Sequence, residues 1–189
     1  IDKNELPARA RTQIRRRRYT VHLRDNVQSS IEMAVTDGLT GLHNRRYMES
    51  HLTTLAEQAS QRGKSLALMM LDIDYFKSIN DSYGHDAGDD VLREFALRIR
   101  KTIRGIDLAC RYGGEEFAVV LPETSRMGGF AVAERIRRRG GQAFQERGVG
   151  GHALALTVSC GLAAYPEDGL HAIEIVARAD EALYRAKGA

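Results

Sequence analysis

The run Ser65-Leu66-Ala67-Leu68-Met69-Met70-Leu71-Asp72-Ile73 stays apolar until its aspartate. That pattern suits a strand buried on both faces, and such a strand needs helices to cover both faces of its sheet. This chain supplies them. Between Ala87 and Arg104, the residues Val91, Leu92, Phe95, Ala96, Ile99 and Ile103 recur at three and four positions, which predicts a helix with one apolar face. A second helix is predicted from about Arg45 to Gln61, with Tyr47, Met48, Leu52 and Leu55 inward and Gly63 as its C-terminal cap. Two more run from Ser125 to about Ala143 and from His171 to Lys187. Ile106 to Tyr112 and Glu116 to Leu121 read as the arms of a hairpin around Gly113-Gly114, a tight turn expected to need positive φ. Ala153 to Ala164 alternates and reads as a strand. Strands interleaved with helices plus one hairpin predict an α/β fold with a mixed central β-sheet flanked by helices.

The N-terminal stretch is different. From Asn4 to about Val35 there is no glycine, and Pro7 sits in the first turn, so one long helix is predicted with Leu23, Val27, Ile31 and Ala34 on a narrow stripe. That stripe fits a connector or a partner-helix surface. The turn formers of Thr36-Asp37-Gly38-Leu39-Thr40-Gly41-Leu42-His43-Asn44 end it and divide the chain into residues 1–35, a helical linker, and a main domain over 36–189. Of 28 basic and 25 acidic side chains, eight basic and four acidic fall within residues 1–34, leaving 20 and 21 for the remainder. The main domain therefore lacks the positive field that nucleic-acid binding requires, and the run Arg15 to Arg18 points in several directions, as a solvated face does.

Cys110 and Cys160 lie 50 residues apart, without partners at metal-ligand spacing, and read as small core residues. No apolar stretch approaches the roughly 20 residues of a bilayer span, and no cleavable signal precedes the first helix. A cytoplasmic setting is the expectation. Ile1 does not read as a natural start, so an upstream segment is expected as well.

Two acidic groups stand where strands end. Leu71-Asp72-Ile73-Asp74 closes the buried strand, and Gly113-Gly114-Glu115-Glu116-Phe117 forms the hairpin turn. Neighbouring strands would bring these carboxylates into one hard-oxygen cluster of the type that binds Mg²⁺ in phosphoryl and nucleotidyl transfer. An isolated Asp-x-Asp at a loop end is otherwise a solvated pair. Here Lys77, Asn80, His85 and Asp89 crowd the segment that follows, with a cation for phosphate and donor and acceptor edges for a base.

Arg111-Tyr112-Gly113-Gly114-Glu115-Glu116-Phe117 resembles the signature of the GGDEF family, the bacterial diguanylate cyclases, with glutamate at the variable third position. Three further blocks resemble the family as well. They are Asp37-x-Leu39-Thr40-Gly41-Leu42-x-Asn44-Arg45-Arg46, Asp72 through Asp89, and Ala179-Asp180-x-Ala182-Leu183-Tyr184-x-Ala186-Lys187. The resemblance spans about residues 36 to 187. It implies a nucleotidyl-cyclase or polymerase-palm-like fold and condensation of two GTP molecules into cyclic di-GMP with release of two pyrophosphates. Each domain would hold one GTP, so an antiparallel homodimer would be required. Carried over by position, the resemblance gives Asp72, the Ile73 carbonyl, Glu115 and Glu116 as ligands of Mg²⁺, with Mn²⁺ as a substitute. Glu115 and Lys77 would be catalytic, the former helping to deprotonate the 3′-hydroxyl. Asn80 and Asp89 would meet the guanine edge with His85 beside them, and Phe76, Lys77 and Lys187 would lie near the phosphates.

Arg104-Gly105-Ile106-Asp107 is similar to the family's product-inhibition site, which implies cyclic di-GMP as an inhibitor, with Arg135 as the further arginine. Taken alone, Arg-x-x-Asp is a common helix-end salt bridge. Ile1-Asp2-x-x-Glu5-Leu6-x-Ala8-Arg9 resembles the opening of the last helix of a receiver domain, which implies the output domain of a two-component response regulator. Three other readings stay open: a cyclic di-GMP sensor without turnover, a structural domain whose first helix contacts DNA, and a cyclase that takes ATP.

Overall fold

In the computed structural model, which describes residues 34–141, 144–145 and 153–188, the chain opens with β1 (His43–Asn44), α1 (Arg45–Arg62), β2 (Leu66–Ile73) and α2 (Phe76–Tyr83). It continues through α3 (His85–Thr102), β3 (Leu108–Arg111), β4 (Glu116–Pro122) and α4 (Arg126–Gly140). It closes with β5 (Phe144–Gln145), β6 (Ala153–Leu154), β7 (Val158–Tyr165) and α5 (Ala172–Lys187). Thr36–Ala189 forms one compact unit. The predicted helix from Asn4, with the arginine run and its apolar stripe, lies outside the described residues up to position 33.

Five strands form the mixed sheet in the order β1-β3-β4-β2-β7, with β1 and β3 parallel and every other pair antiparallel. β2 lies between β4 and β7, which is why all eight of its residues are buried. Alternate side chains leave it on opposite faces. Ala67, Met69, Leu71 and Ile73 pack with Val91, Phe95 and Ile99 of α3 and Ile136 of α4. Leu66, Leu68 and Met70 pack on the other face with Met48 and Leu52 of α1 and Ile175, Ala179 and Leu183 of α5. The predicted sandwich is thus two cores sharing one sheet. Phe95 and Phe117 meet edge to face at 5.0 Å across the first of them.

Helix α1 starts on an Asn44 cap and ends at Gly63 in the left-handed region (φ 59°), as its sequence predicts. Three expectations need correction. Neither Gly113 nor Gly114 has a positive φ; in the described residues the glycines that do are Gly41, Gly63 and Gly84. The β3–β4 turn closes through backbone bonds that ordinary φ values allow, Glu116 N–H to Gly113 O and Gly113 N–H to Glu116 O, both 3.3 Å. A Cβ at Gly113 would come 2.9 Å from Glu116 Oε2, and nothing lies within 4 Å of one at Gly114.

The strand expected over Ala153 to Ala164 is broken into β6 and β7, which belong to different sheets. Between them Thr157 O takes the Asp74 N–H at 3.0 Å, so the chain passes the end of β2 before its own strand begins. The helix expected from Ala87 starts two residues earlier and ends at Thr102, and α2 adds a helix that the sequence pattern does not signal. With eight residues and only Phe76 buried, α2 is too short to show a period. Among the described residues no helix is long and apolar enough to cross a membrane.

Candidate active site

The β2–β4 ladder ends with Asp72 opposite Glu116, and the Ile73 N–H reaches Glu115 O at 3.3 Å. The strand end and the hairpin turn are thereby joined, as the sequence expectation requires. Arg111 pins the turn from beneath, donating to Gly114 O from Nε (2.9 Å) and Nη2 (2.8 Å), while its Nη1 lies 3.4 Å from Asp37 Oδ2. Asp37 in turn accepts from the Thr40 hydroxyl at 2.7 Å. Burial opposes its ionisation, yet the Thr40 hydrogen bonds and the Arg111 charge hold its carboxyl below the usual range.

Asp72 is 3% exposed, and Lys187 Nζ lies 2.6 Å from its Oδ2. Burial pushes the Asp72 carboxyl up; Lys187 pulls it back, and the nearby charges of Glu115 and Asp74 push it up again, with a net rise. Glu116 is raised for the same reasons, first burial and then the charge of Asp72. Burial acts against Lys187, but the hydrogen bond and charge of Asp72 outweigh it and raise the ammonium.

Around this cluster opens a cavity of about 500 Å³ lined by Asp72, Ile73, Phe76, Lys77, Glu115 and Lys187, all singled out in the sequence. Asp74, Tyr75, Thr157 and Ser159 line it too. Helix α2 opens on the same cavity with its first turn uncapped by any side chain, since Tyr75 at the N-cap position makes no such bond. Uncapped N–H groups and the helix dipole favour an anion there. Nothing local signals Thr157 and Ser159, because hydroxyls just before and at the start of β7 lie more than 80 residues along the chain from Asp72.

Among the described residues no three His, Cys, Asp or Glu side chains converge, as they stand, into a set that holds a metal ion. The donor chemistry nevertheless fits one. Asp72, Glu115 and Glu116 are hard oxygen donors, the charge of Glu115 acts against ionisation of the other two, and a lysine ammonium already balances the most buried of them. Ile73 lines the same cavity.

Asn80, His85 and Asp89 do not line this cavity; they gather at the junction of α2 and α3. A Cβ at Gly88 would collide with Asn80 Oδ1, so glycine there lets α3 approach the Asn80 amide. His85 is exposed and Asp89 half-buried, 3.9 Å from Arg93.

Arg104, Asp107 and Arg135 sit away from this cavity. Arg104 forks onto Asp107, with Nη2 2.8 Å from Oδ1, and also reaches Thr124 Oγ1 at 2.8 Å and Pro122 O at 3.2 Å. The Asp107 side chain is 1% exposed and accepts the Arg104 N–H as well, so the motif is also the helix-end ion pair of the plain reading. Arg135 donates to Thr102 O at 2.8 Å, which puts it at the same end of α3.

The profile described as diguanylate cyclase, GGDEF domain, matches residues 34–189. The chain belongs to the GGDEF family. Within it, the chain is 49% identical over 187 residues to the response regulator PleD of Caulobacter vibrioides, covering 99% of this chain and 41% of that protein. It is 42% identical over 168 residues to diguanylate cyclase A of Treponema denticola, covering 86% and 44%. The chain thus spans about two fifths of the length of each of these two relatives. Among solved GGDEF structures, that of the domain of DgcB from Caulobacter crescentus in complex with c-di-GMP superimposes with a TM-score of 0.77 at 36% identity, covering 82% of this chain and 91% of that one.

Proposed function

We propose that the chain is a diguanylate cyclase that condenses two GTP molecules into cyclic di-GMP and releases two pyrophosphates. The observation that carries this reading is the in-register pairing of Asp72 with Glu116, which brings Glu115 and the α2 N-terminus to one cavity. Asp72, the Ile73 carbonyl, Glu115 and Glu116 would hold Mg²⁺ or Mn²⁺. When bound, such an ion neutralises triphosphate charge and favours attack by an oxygen nucleophile.

The chain's own groups do the rest. Asn80 and Asp89 hydrogen-bond the guanine edge, with His85 beside them. Phe76, Lys77 and Lys187 lie along the phosphates, where the Lys77 ammonium offsets the charge that grows as the phosphoanhydride bond breaks. Glu115 accepts the 3′-hydroxyl proton of one GTP while that oxygen attacks the α-phosphorus of the other, and the pyrophosphate leaves with the bonding pair. Each domain holds one GTP, so a homodimer must bring two cavities face to face. Activity then depends on association.

Cyclic di-GMP would act back at Arg104 and Asp107, with Arg135 as the second arginine, since guanidinium groups can fork onto phosphate and stack on guanine. Residues 1–35 are proposed as the end of a receiver-like domain and a linker helix, and residues 36–189 as the cyclase domain of a cytoplasmic response regulator. Receiver pairing would raise the effective concentration of one cyclase domain for the other.

Glu115→Gln tests the site. It is expected to lower cyclic di-GMP formation by about a hundredfold or more, with an unchanged melting temperature, because Glu115 stands half-buried at a turn rather than in a core. Unchanged turnover would overturn the assignment of Glu115.

A further inference from the structure

Asp74 is the second carboxylate of the Asp72-x-Asp74 pair, and where Asp72 pairs with Lys187, Asp74 bonds to the segment that enters β7. Its Oδ1 accepts the Ser159 hydroxyl at 2.7 Å, and its N–H is bonded to Thr157 O at 3.0 Å. Both partners come from the segment entering β7 and line the same cavity. The next residue, Tyr75, has φ 56° and ψ 25°, a left-handed conformation that bulky side chains rarely adopt, and its side chain is 82% exposed. Nothing about the Tyr75 side chain pulls the backbone into that shape. The constraint comes from either side: Asp74 is tied to β7, and Phe76, 9% exposed, is locked into the core beneath α3.

That left-handed residue turns the chain from the β2 direction into α2, and Tyr75 O accepts the Ile79 N–H at 3.3 Å in the first helical turn. The aim of the uncapped α2 N-terminus into the cavity, and of Lys77 with it, therefore depends on the Asp74 anchor. We infer that Ser159, acting through Asp74, is a positioning residue that holds the α2 N-terminus at the triphosphate of the nucleotide. Asp74 spends an oxygen on this tether instead of completing the ligand set of Asp72, Glu115 and Glu116. The inference rests on the cavity being the nucleotide site.

The test is calorimetric binding of GTPαS, whose α-thiophosphate is attacked more slowly than a phosphate, to the full chain, with the Mg²⁺ concentration for half-saturation measured separately. Ser159→Ala is expected to weaken GTPαS binding about tenfold, in the range for lost outer-sphere support, with unchanged Mg²⁺ half-saturation and an unchanged melting temperature. Ser159→Thr keeps the hydroxyl and is expected to restore the affinity. Equal affinity in Ser159→Ala would overturn the inference, and so would a loss confined to the Mg²⁺ requirement, which would make Asp74 a ligand. A wild-type chain that binds no GTPαS would instead defeat the underlying reading of the cavity.

Discussion

Lys187, in the last turn of α5, places its ammonium 2.6 Å from the carboxylate of Asp72, one residue before the end of β2. The lysine is 43% exposed and the aspartate side chain 4%, so water screens one partner while the other is nearly dry. Asp72 is therefore a charge kept in place against burial and against its acidic neighbours.

Asp72→Asn should separate stability from function. The amide removes a buried charge repelled by Glu115 and Asp74, and Lys187 can turn into solvent. In metal-free buffer at pH 7 the melting temperature is expected to rise by about 2–4 °C, the shift that roughly 1 kcal/mol brings to a domain of this size. Cyclic di-GMP formation is expected to fall at least about a hundredfold. A thermal melt and a turnover assay on the same preparation check both halves.

Gly161→Ala should damage the site from a distance. On β7, a Cβ at Gly161 would collide with Ala179 O and Leu183 N, backbone atoms of α5 that cannot give way as a side chain would. Helix α5 must lift off the sheet and take Lys187 with it. The cost is expected to reach about 3 kcal/mol, seen as a lower urea midpoint together with lost turnover.

Arg104→Ala is expected to free the enzyme from cyclic di-GMP while initial rates without added product persist, because Arg104 lies outside the cavity that holds Lys77 and Glu115. The structure adds a stability effect. Arg104 also holds Pro122 O and Thr124 Oγ1, so the melting temperature should fall by about 2–4 °C, with the Arg104 N–H still serving Asp107. Rates measured against added cyclic di-GMP, beside a thermal melt, decide it.

Burial pushes both thiols, Cys110 and Cys160, up to about 12. At pH 8 only about one molecule in ten thousand then carries a thiolate at either position. Iodoacetamide is expected to leave the native chain unmodified and to label both residues in 6 M guanidinium, as read by intact mass.

The layers of the fold were legible because their periods are long. The continuous apolar run of β2 and the three-and-four spacing of α3 each predict one geometry, and both helices on the second face carry similar stripes. The shorter elements were not. Helix α2 buries only Phe76, and its entry depends on a left-handed Tyr75 imposed by contacts with β7, which no local pattern encodes. The carboxylate cluster was visible from its two strand ends, whereas Ser159 and Thr157 entered only once β7 was paired with β2. The glycines of the hairpin were visible, but neither supplies the positive φ expected of the turn.

Whether paired domains make cyclic di-GMP is decided by chromatography of products formed from GTP and Mg²⁺, comparing the chain alone with the same chain fused to a parallel dimeric coiled coil. Cyclic di-GMP and pyrophosphate are expected in a one-to-two ratio from the forced dimer, with far less product from the unfused chain at low concentration. No cyclic di-GMP from a forced dimer that still binds GTPαS would contradict the cyclase assignment.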